Sequence, residues 1–321
     1  MLRFLVRRLL NYAILVFVAT SMAYLLASYT LNPIAHYLTG KRIDINSVHA
    51  QLRSYNIDPD TPIWSRYWHW LKGIFLHWDF GKSFPAGTEV TDEMSRRIGV
   101  SLRLLLVGSI LSVIVGVVVG VWSALRQYKI SDHLISVVSY ILLSTPIFLL
   151  AVVVKNEAIS VAPGLPNSNE CPLSGACSIG DRVSHLVLPT IVFVFSAAGA
   201  AFFARYQRSA MLDVLGSDFI RTAQAKGLTK RKAFYKHGLR TALIPMATFF
   251  AFQFGLIVVG GIVTERIFNW YGMGNWSIDT INNADINGIA AVTGFTAVMV
   301  LVSSVLADIF YAMLDPRVRV G

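Results

Sequence analysis

Residues able to do bond chemistry are scattered along this chain rather than assembled. The seven histidines, His36, His49, His69, His77, His133, His185 and His237, include no pair at close helical spacing on an apolar stretch, so the sequence supports no transition-metal relay. Gly81-Lys82-Ser83 has the ending of a phosphate-binding loop. That loop needs a second glycine five residues before Gly81, and Leu76 stands there. No nucleophile elbow occurs. Cys171 and Cys177, in NECPLSGACS, have no histidine nearby to complete a zinc site. Two readings stay open for them: a disulfide, should the loop face an oxidising compartment, or two free thiols. These patterns argue against an enzyme, and against a metal, cofactor or nucleotide held by this chain. What stands out instead is charge. Nine Lys and Arg lie between Arg205 and Arg240, against only Asp213 and Asp218, in a polar island set between two long apolar stretches.

Two short helices can position that island. Ser217 can cap a first helix over Asp218–Lys226, and Gly227 stands where a left-handed stop is expected. Thr229 can cap a second, carrying Lys230 to Arg240 toward the next apolar run. On the first helix Phe219, Ile220 and Ala223 share one face, while Arg221, Gln224 and Ala225 turn elsewhere. An apolar knob on a short helix with a defined stop and a basic rim suits a rigid docking lever. The plainer reading is a basic loop that only marks the inner side of a membrane.

The whole composition points to a membrane. Of 321 residues 55% are hydrophobic and 14% charged, with a mean hydropathy of +0.57, against about 25% charged in a soluble domain. The net charge of +10 sits at apolar boundaries with no aromatic–basic platform, so nucleic acid is not the expected partner; membrane lipid is. Apolar runs long enough to span fall near 9–29, 102–125, 134–154, 183–203, 243–264 and 289–313. Gly116 and Gly120 permit close approach of another helix to the second run. Ser144-Thr145-Pro146 permits a kink in the third, either as a hinge or as static packing. With the N-terminus inside, the short inner segments and tails carry sixteen Lys/Arg against Lys155, Arg182 and Arg266 in the short outer loops. Six spans then place the C-terminus inside as well.

Between the first two runs lies the largest non-spanning region. Thr61 and Pro62 can open a helix in which Trp64, Tyr67, Trp68, Leu71, Phe75 and Trp78 recur at helical spacing, with Arg66, His69 and Lys72 on other faces. It suits an outer interfacial helix. Trp64, Trp68, Trp70 and Trp78 are its candidate outer docking residues, a simple membrane anchor being the alternative. Glu265, at the outer end of the fifth run, is a candidate gating residue or a side chain that snorkels to the interface. Asp308, near the inner end of the sixth, is read as a structural partner for a basic inner residue or, likewise, as a side chain that snorkels to the interface.

RTAQAKGL followed by KHGLRTALIP resembles the cytoplasmic coupling motif of ABC-importer permeases, in the variety of the dipeptide/oligopeptide/nickel family. The generic motif reads Glu-Ala-Ala, three residues, then Gly. Here Arg221, Thr222 and Ala223 hold the first three places before Gly227, Arg240 replaces the later Pro, and Pro245 follows. RFLVRRLL, WDFGKSF, HLVLPTIVF, TERIFNWYGMGNW and LDPRVR extend the likeness over most of the chain.

The resemblance implies an all-α polytopic membrane protein with six transmembrane helices in the type I ABC-importer permease fold. It divides into tail and first helix (1–29), a large extracytoplasmic insertion (30–101) and a permease core (102–321) with a coupling loop over 205–242. It implies a B-type permease subunit of the bacterial cytoplasmic (inner) membrane, carrying di- or oligopeptides. A second permease subunit, two ATPase subunits or domains and an extracytoplasmic substrate-binding protein would be its partners, with ATP and Mg on the ATPases. The coupling residues would be Asp218, Phe219, Ile220, Arg221, Thr222, Ala223, Lys226, Gly227 and Leu228. A nickel permease of the same family is the alternative. A self-sufficient secondary transporter would require inverted repeats or charge relays within spans, and neither is evident in the sequence.

Overall fold

A computed structural model describes residues 2–37, 44–172 and 176–314. Within these, the side chains of residues 2–8, 36, 230–231, 245, 247–248, 250–260, 307–308 and 310–314 are not described. The Asp308 side chain and the segment LDPRVR beyond Leu314 therefore fall outside what is described. The described chain is mainly helical and forms two compact units, Met1–Ser101 with Tyr271–Leu301, and Leu102–Trp270 with Val302–Gly321.

In the first unit, α1 (Leu2–Thr30) is followed by a short 3-10 turn, α2 (Ile45–Ser54) and α3 (Ile63–His77). Asp44 caps α2, its carboxylate accepting the Asn46 N–H. Trp78, at φ +56°, closes α3 with a left-handed residue. Near the end of the chain α12 (Met273–Asn282) and the part of α13 (Ile286–Leu314) up to Leu301 follow. Tyr24, Leu52, Ile57, Trp70, Phe84, Ile286 and Ala290 build the unit's core.

The second unit departs from simple spans. The helix expected from residue 102 begins earlier, as α4 (Val90–Leu125). The third apolar run is broken into α5 (Ile130–Ser144) and α6 (Ile147–Val161), bent by 106°. Pro146 lacks a backbone N–H and forces Thr145 into the extended region (φ −85°, ψ 120°), so α5 ends there rather than kinking. The fourth run is likewise two helices, α7 (Ile179–Phe195) and α8 (Ala200–Leu215), bent by 43° after Ser196, whose hydroxyl donates to Phe193 O. Then come α9 (Asp218–Ala225), α10 (Lys230–Ala233), a π-helical segment Phe234–Gly238 and α11 (Leu239–Ile267). The second helix of the basic island thus runs without a stop into the fifth apolar stretch. Among the described residues three helices are long and apolar enough to cross a membrane, or up to five if each bent pair counts as one span.

Close packing in this unit rests on the two glycines of α4. A Cβ on Gly116 would run into Phe203 Cβ and Ala200 O, and one on Gly120 would lie 2.5 Å from Ala204 O. The pair lets α8 lie against α4 backbone to backbone.

Candidate functional site

The basic island becomes a short lever anchored on its own unit. Ser217 occupies the cap position of α9 (φ −73°, ψ 151°), but its hydroxyl donates back to Val214 O instead of capping. Thr229 does accept the Lys232 N–H, at 3.4 Å. Gly227 has φ +92° with no atom near where a Cβ would stand, so a left-handed backbone is what calls for glycine there.

The apolar face divides differently from the expectation. Ile220 is fully buried and Ala223 nearly so, packed with Val121, Met211, Val214, Phe234 and Ala242, while Leu228 lies half-buried against the same cluster. Phe219 alone projects, 44% exposed, among exposed Asp218, Arg221, Thr222 and Lys226. Successive helical residues point 100° apart, so a helix seated through Ile220 and Ala223 must turn Phe219 away from that seat. Ile220 is an anchor, not a free knob.

The α3 residues also sort by what α1 demands. Trp64, Trp68 and Trp78 are exposed, but Trp70 is buried, stacked on Tyr24 at 4.5 Å between ring centroids. Tyr67 Oη donates to Ser21 Oγ at 2.9 Å. Arg66, expected on a polar face, is buried instead, donating to Thr61 O and Ile57 O. Trp70 therefore belongs to the core and cannot dock an outside partner. Phe75 meets Phe17 of α1 yet stays 71% exposed, so with Trp64, Trp68 and Trp78 it belongs to the open aromatic surface. Glu265 is 1% exposed, and its backbone carbonyl accepts the Trp270 N–H at 2.8 Å. Cys171 and Cys177 are joined in a disulfide.

Several charged groups escaped the sequence reading because their partners are distant in the chain. Asp132 on α5 takes both Arg208 Nε and Nη2 of α8, at 2.7 and 2.8 Å. It also accepts the Ser123 hydroxyl and the Tyr128 N–H. In the first unit Ser83 Oγ and the Gly288 N–H both donate to Asp285, which is 1% exposed. Burial pushes the Asp285 carboxyl up to about 6, against the opposing pull of those hydrogen bonds. Ser83 of the Gly-Lys-Ser triplet is thus committed to Asp285, and Lys82 stands 3.9 Å from Glu89.

His49, Asp58 and Asp60 bring ligand atoms within 4.8 Å of one another. Arg53 Nε holds the second oxygen of Asp58 at 2.8 Å, and His49 Nδ1 lies 2.8 Å from the first. Burial acts to raise the Asp58 pKa, and the bonds from His49 and Arg53 outweigh it, holding the carboxyl below its ordinary value. That occupancy describes a satisfied ion-pair network rather than an open ligand set.

Residues 116–320 match the family described as binding-protein-dependent transport system inner membrane component, and residues 1–105 match the N-terminal domain of such components. The chain is 44% identical, over the whole of both chains, to an oligopeptide transport system permease protein OppB of Mycobacterium tuberculosis. It is 38% identical to the oligopeptide transport system permease protein AppB of Bacillus subtilis, covering 80% of this chain and 81% of the relative. With the dipeptide transport system permease protein DppB of Escherichia coli it shares 33% identity, over 84% and 85% of the two chains. Among solved structures, the inward-facing MetNI methionine ABC transporter matches with a TM-score of 0.56 at 16% identity, over 70% of this chain and 97% of that one. That likeness speaks for the fold.

Proposed function

The chain belongs to the family of binding-protein-dependent transport system inner membrane components, and from that premise we propose that it forms part of the membrane pathway for di- and oligopeptides in an ATP-driven importer. It is a helical multi-pass protein of the inner membrane and a transport component, not an enzyme. The peptide cargo is supported by relatives named for oligopeptides and dipeptides. In this reading the chain has six spans in a type I permease arrangement, both termini inside, and residues 30–101 as an extracytoplasmic insertion. A second permease subunit completes the pathway, two ATPase subunits holding ATP and Mg dock at α9, and a substrate-binding protein docks outside. The Cys171–Cys177 bond supports an oxidising, outer location for its loop.

One observation carries the coupling role: α9 is seated on its own unit through Ile220 and Ala223 and offers Phe219 outward. Switching a pathway from 1:99 to 99:1 takes about 5.5 kcal/mol of differential stabilisation. An exposed ion pair supplies about 0–1 kcal/mol; fully burying a Phe supplies about 1.5–3 kcal/mol, and the 44% of Phe219 that is still exposed has about 1 kcal/mol of that left to give. Phe219 entering an ATPase cleft is the apolar contribution that the exposed face of α9 still has to make, and the basic residues around it orient the encounter. In proteoliposomes holding all subunits, Phe219→Asp abolishes peptide uptake while ATP hydrolysis continues uncoupled. Normal uptake by that variant would overturn the coupling role.

A further inference from the structure

A charge inside a span faces a partner or a water-filled cavity. Two arginines one turn apart on α8 meet different fates. Arg208 is held by both oxygens of Asp132. Arg205 has no ion-pair partner among the described residues; its guanidinium lies over the Tyr140 ring of α5, 4.0 Å from the centroid, and Nη2 donates to Tyr140 Oη at 3.1 Å. Stacking on a ring keeps the full charge, and one hydrogen bond leaves most of the five guanidinium N–H donors free.

Those donors open onto a surface cleft of about 360 Å³ lined by half-buried Leu143 and Phe202 and exposed Arg205, Tyr206 and Ser209. Small-molecule sites span about 300–1,000 Å³. An aromatic wall continues from it: Phe202 and Tyr206 are 4.5 Å apart between centroids, and Tyr206 lies 4.1 Å from Phe249 of α11. The depth follows from α4. Ala204 lies against Gly120, which precedes Leu125 by five residues. At 1.5 Å per residue that level lies about 8 Å along α4 from Leu125, so Arg205, counted from the sequence among the inner-side cations, is carried by α8 back alongside the second apolar run.

We propose that Arg205 and this aromatic wall bind the carboxylate of the peptide in transit. The site rests on the peptide reading above and deepens it. A planar guanidinium pairs with a carboxylate through two parallel N–H donors, and ring faces accept apolar or cationic side chains without demanding one sequence. Such a site suits a pathway for peptides of varied composition, because the terminal carboxylate is what they share. A lipid phosphate carries similar anion chemistry. The hydroxyls of Ser209 and Tyr206 and the small volume favour the compact carboxylate.

The test uses the complete importer in proteoliposomes, with one peptide as the free acid and as its C-terminal amide, for wild type, Arg205→Gln and Arg205→Lys. The same binding protein delivers both peptides to all three, so its own preference cancels in the variant-to-wild-type ratio. Arg205→Gln is expected to lower free-acid uptake about tenfold or more beyond its effect on the amide, with Arg205→Lys in between. Equal loss on both peptides, or loss on neither, overturns the site. So does an equal loss in wild type when anionic lipid is withdrawn, which assigns the anion to a headgroup. Failure of Arg205→Gln to co-purify with the second permease subunit assigns Arg205 to a subunit contact and also overturns it; Arg205→Lys, which keeps the charge, carries the same peptide comparison. Wild-type complexes moving neither peptide would overturn the peptide reading itself, an outcome distinct from the others.

Discussion

Asp132 and Arg208, 76 residues apart in sequence, meet in a two-point pair at 2.7 and 2.8 Å, with the Asp132 side chain only 2% exposed. The pair ties α5 to α8, the helix that leads into the lever. Removing Arg208 leaves the nearly buried Asp132 charge uncompensated, which costs about 3–5 kcal/mol, whereas removing Asp132 leaves an Arg208 that is 27% exposed and costs less. Arg208→Gln and Asp132→Asn are each expected to lower the thermal midpoint of the purified subunit markedly. The double variant is expected to cost less than the sum, with a coupling of about 0.5–3 kcal/mol. Strict additivity would show that the pair contributes no mutual stabilisation.

Phe219 and Ile220 are sequence neighbours with opposite duties. Ile220→Ala removes a fully buried side chain and is expected to cost about 2–5 kcal/mol, seen as faster hydrogen exchange over residues 218–240. Phe219→Ala changes an exposed site and is expected to stay within about 0.5 kcal/mol while still lowering uptake. Equal exchange in both variants would refute the division of the face.

Asp285 makes stability depend on pH in an unusual direction. Its folded pKa, about 6, lies above the unfolded value of 3.8, so the folded state binds the extra proton between those limits. Its contribution is fully present below the unfolded value and is lost as pH rises through about 6, a change of about 3 kcal/mol. The wild-type midpoint, measured against Asp285→Asn, is expected to be relatively higher at pH 4 than at pH 7. A difference that does not vary across this window would rule out Asp285 as its source.

The α4 glycines should respond by position. Gly120→Val places atoms where Ala204 O stands and is expected to cost about 1–3 kcal/mol. Gly99 has nothing within 4 Å of its would-be Cβ, so Gly99→Ala is expected to stabilise α4 by about 0.5–1 kcal/mol. Thermal midpoints of the two variants moving in the same direction would contradict the close packing of α4 on α8.

Local chemistry was legible in the residues alone. The family, the apolar composition, the left-handed stop at Gly227 and the close approach at Gly116 and Gly120 follow from residue type and short spacing, which act within a few turns of helix. Tertiary structure decided the rest. A periodic apolar stripe says that a helix has a preferred face but not which neighbour takes it, so Trp70 and Ile220 went inward against Tyr24 and Phe234 while Trp68 and Phe219 stayed outside. The pairing of Asp132 with Arg208, and the want of such a partner among the described residues for Arg205 one turn away, had no local signature. An ion pair depends on two helices converging across 76 residues of chain, and that convergence is set by the packing of α5 on α8.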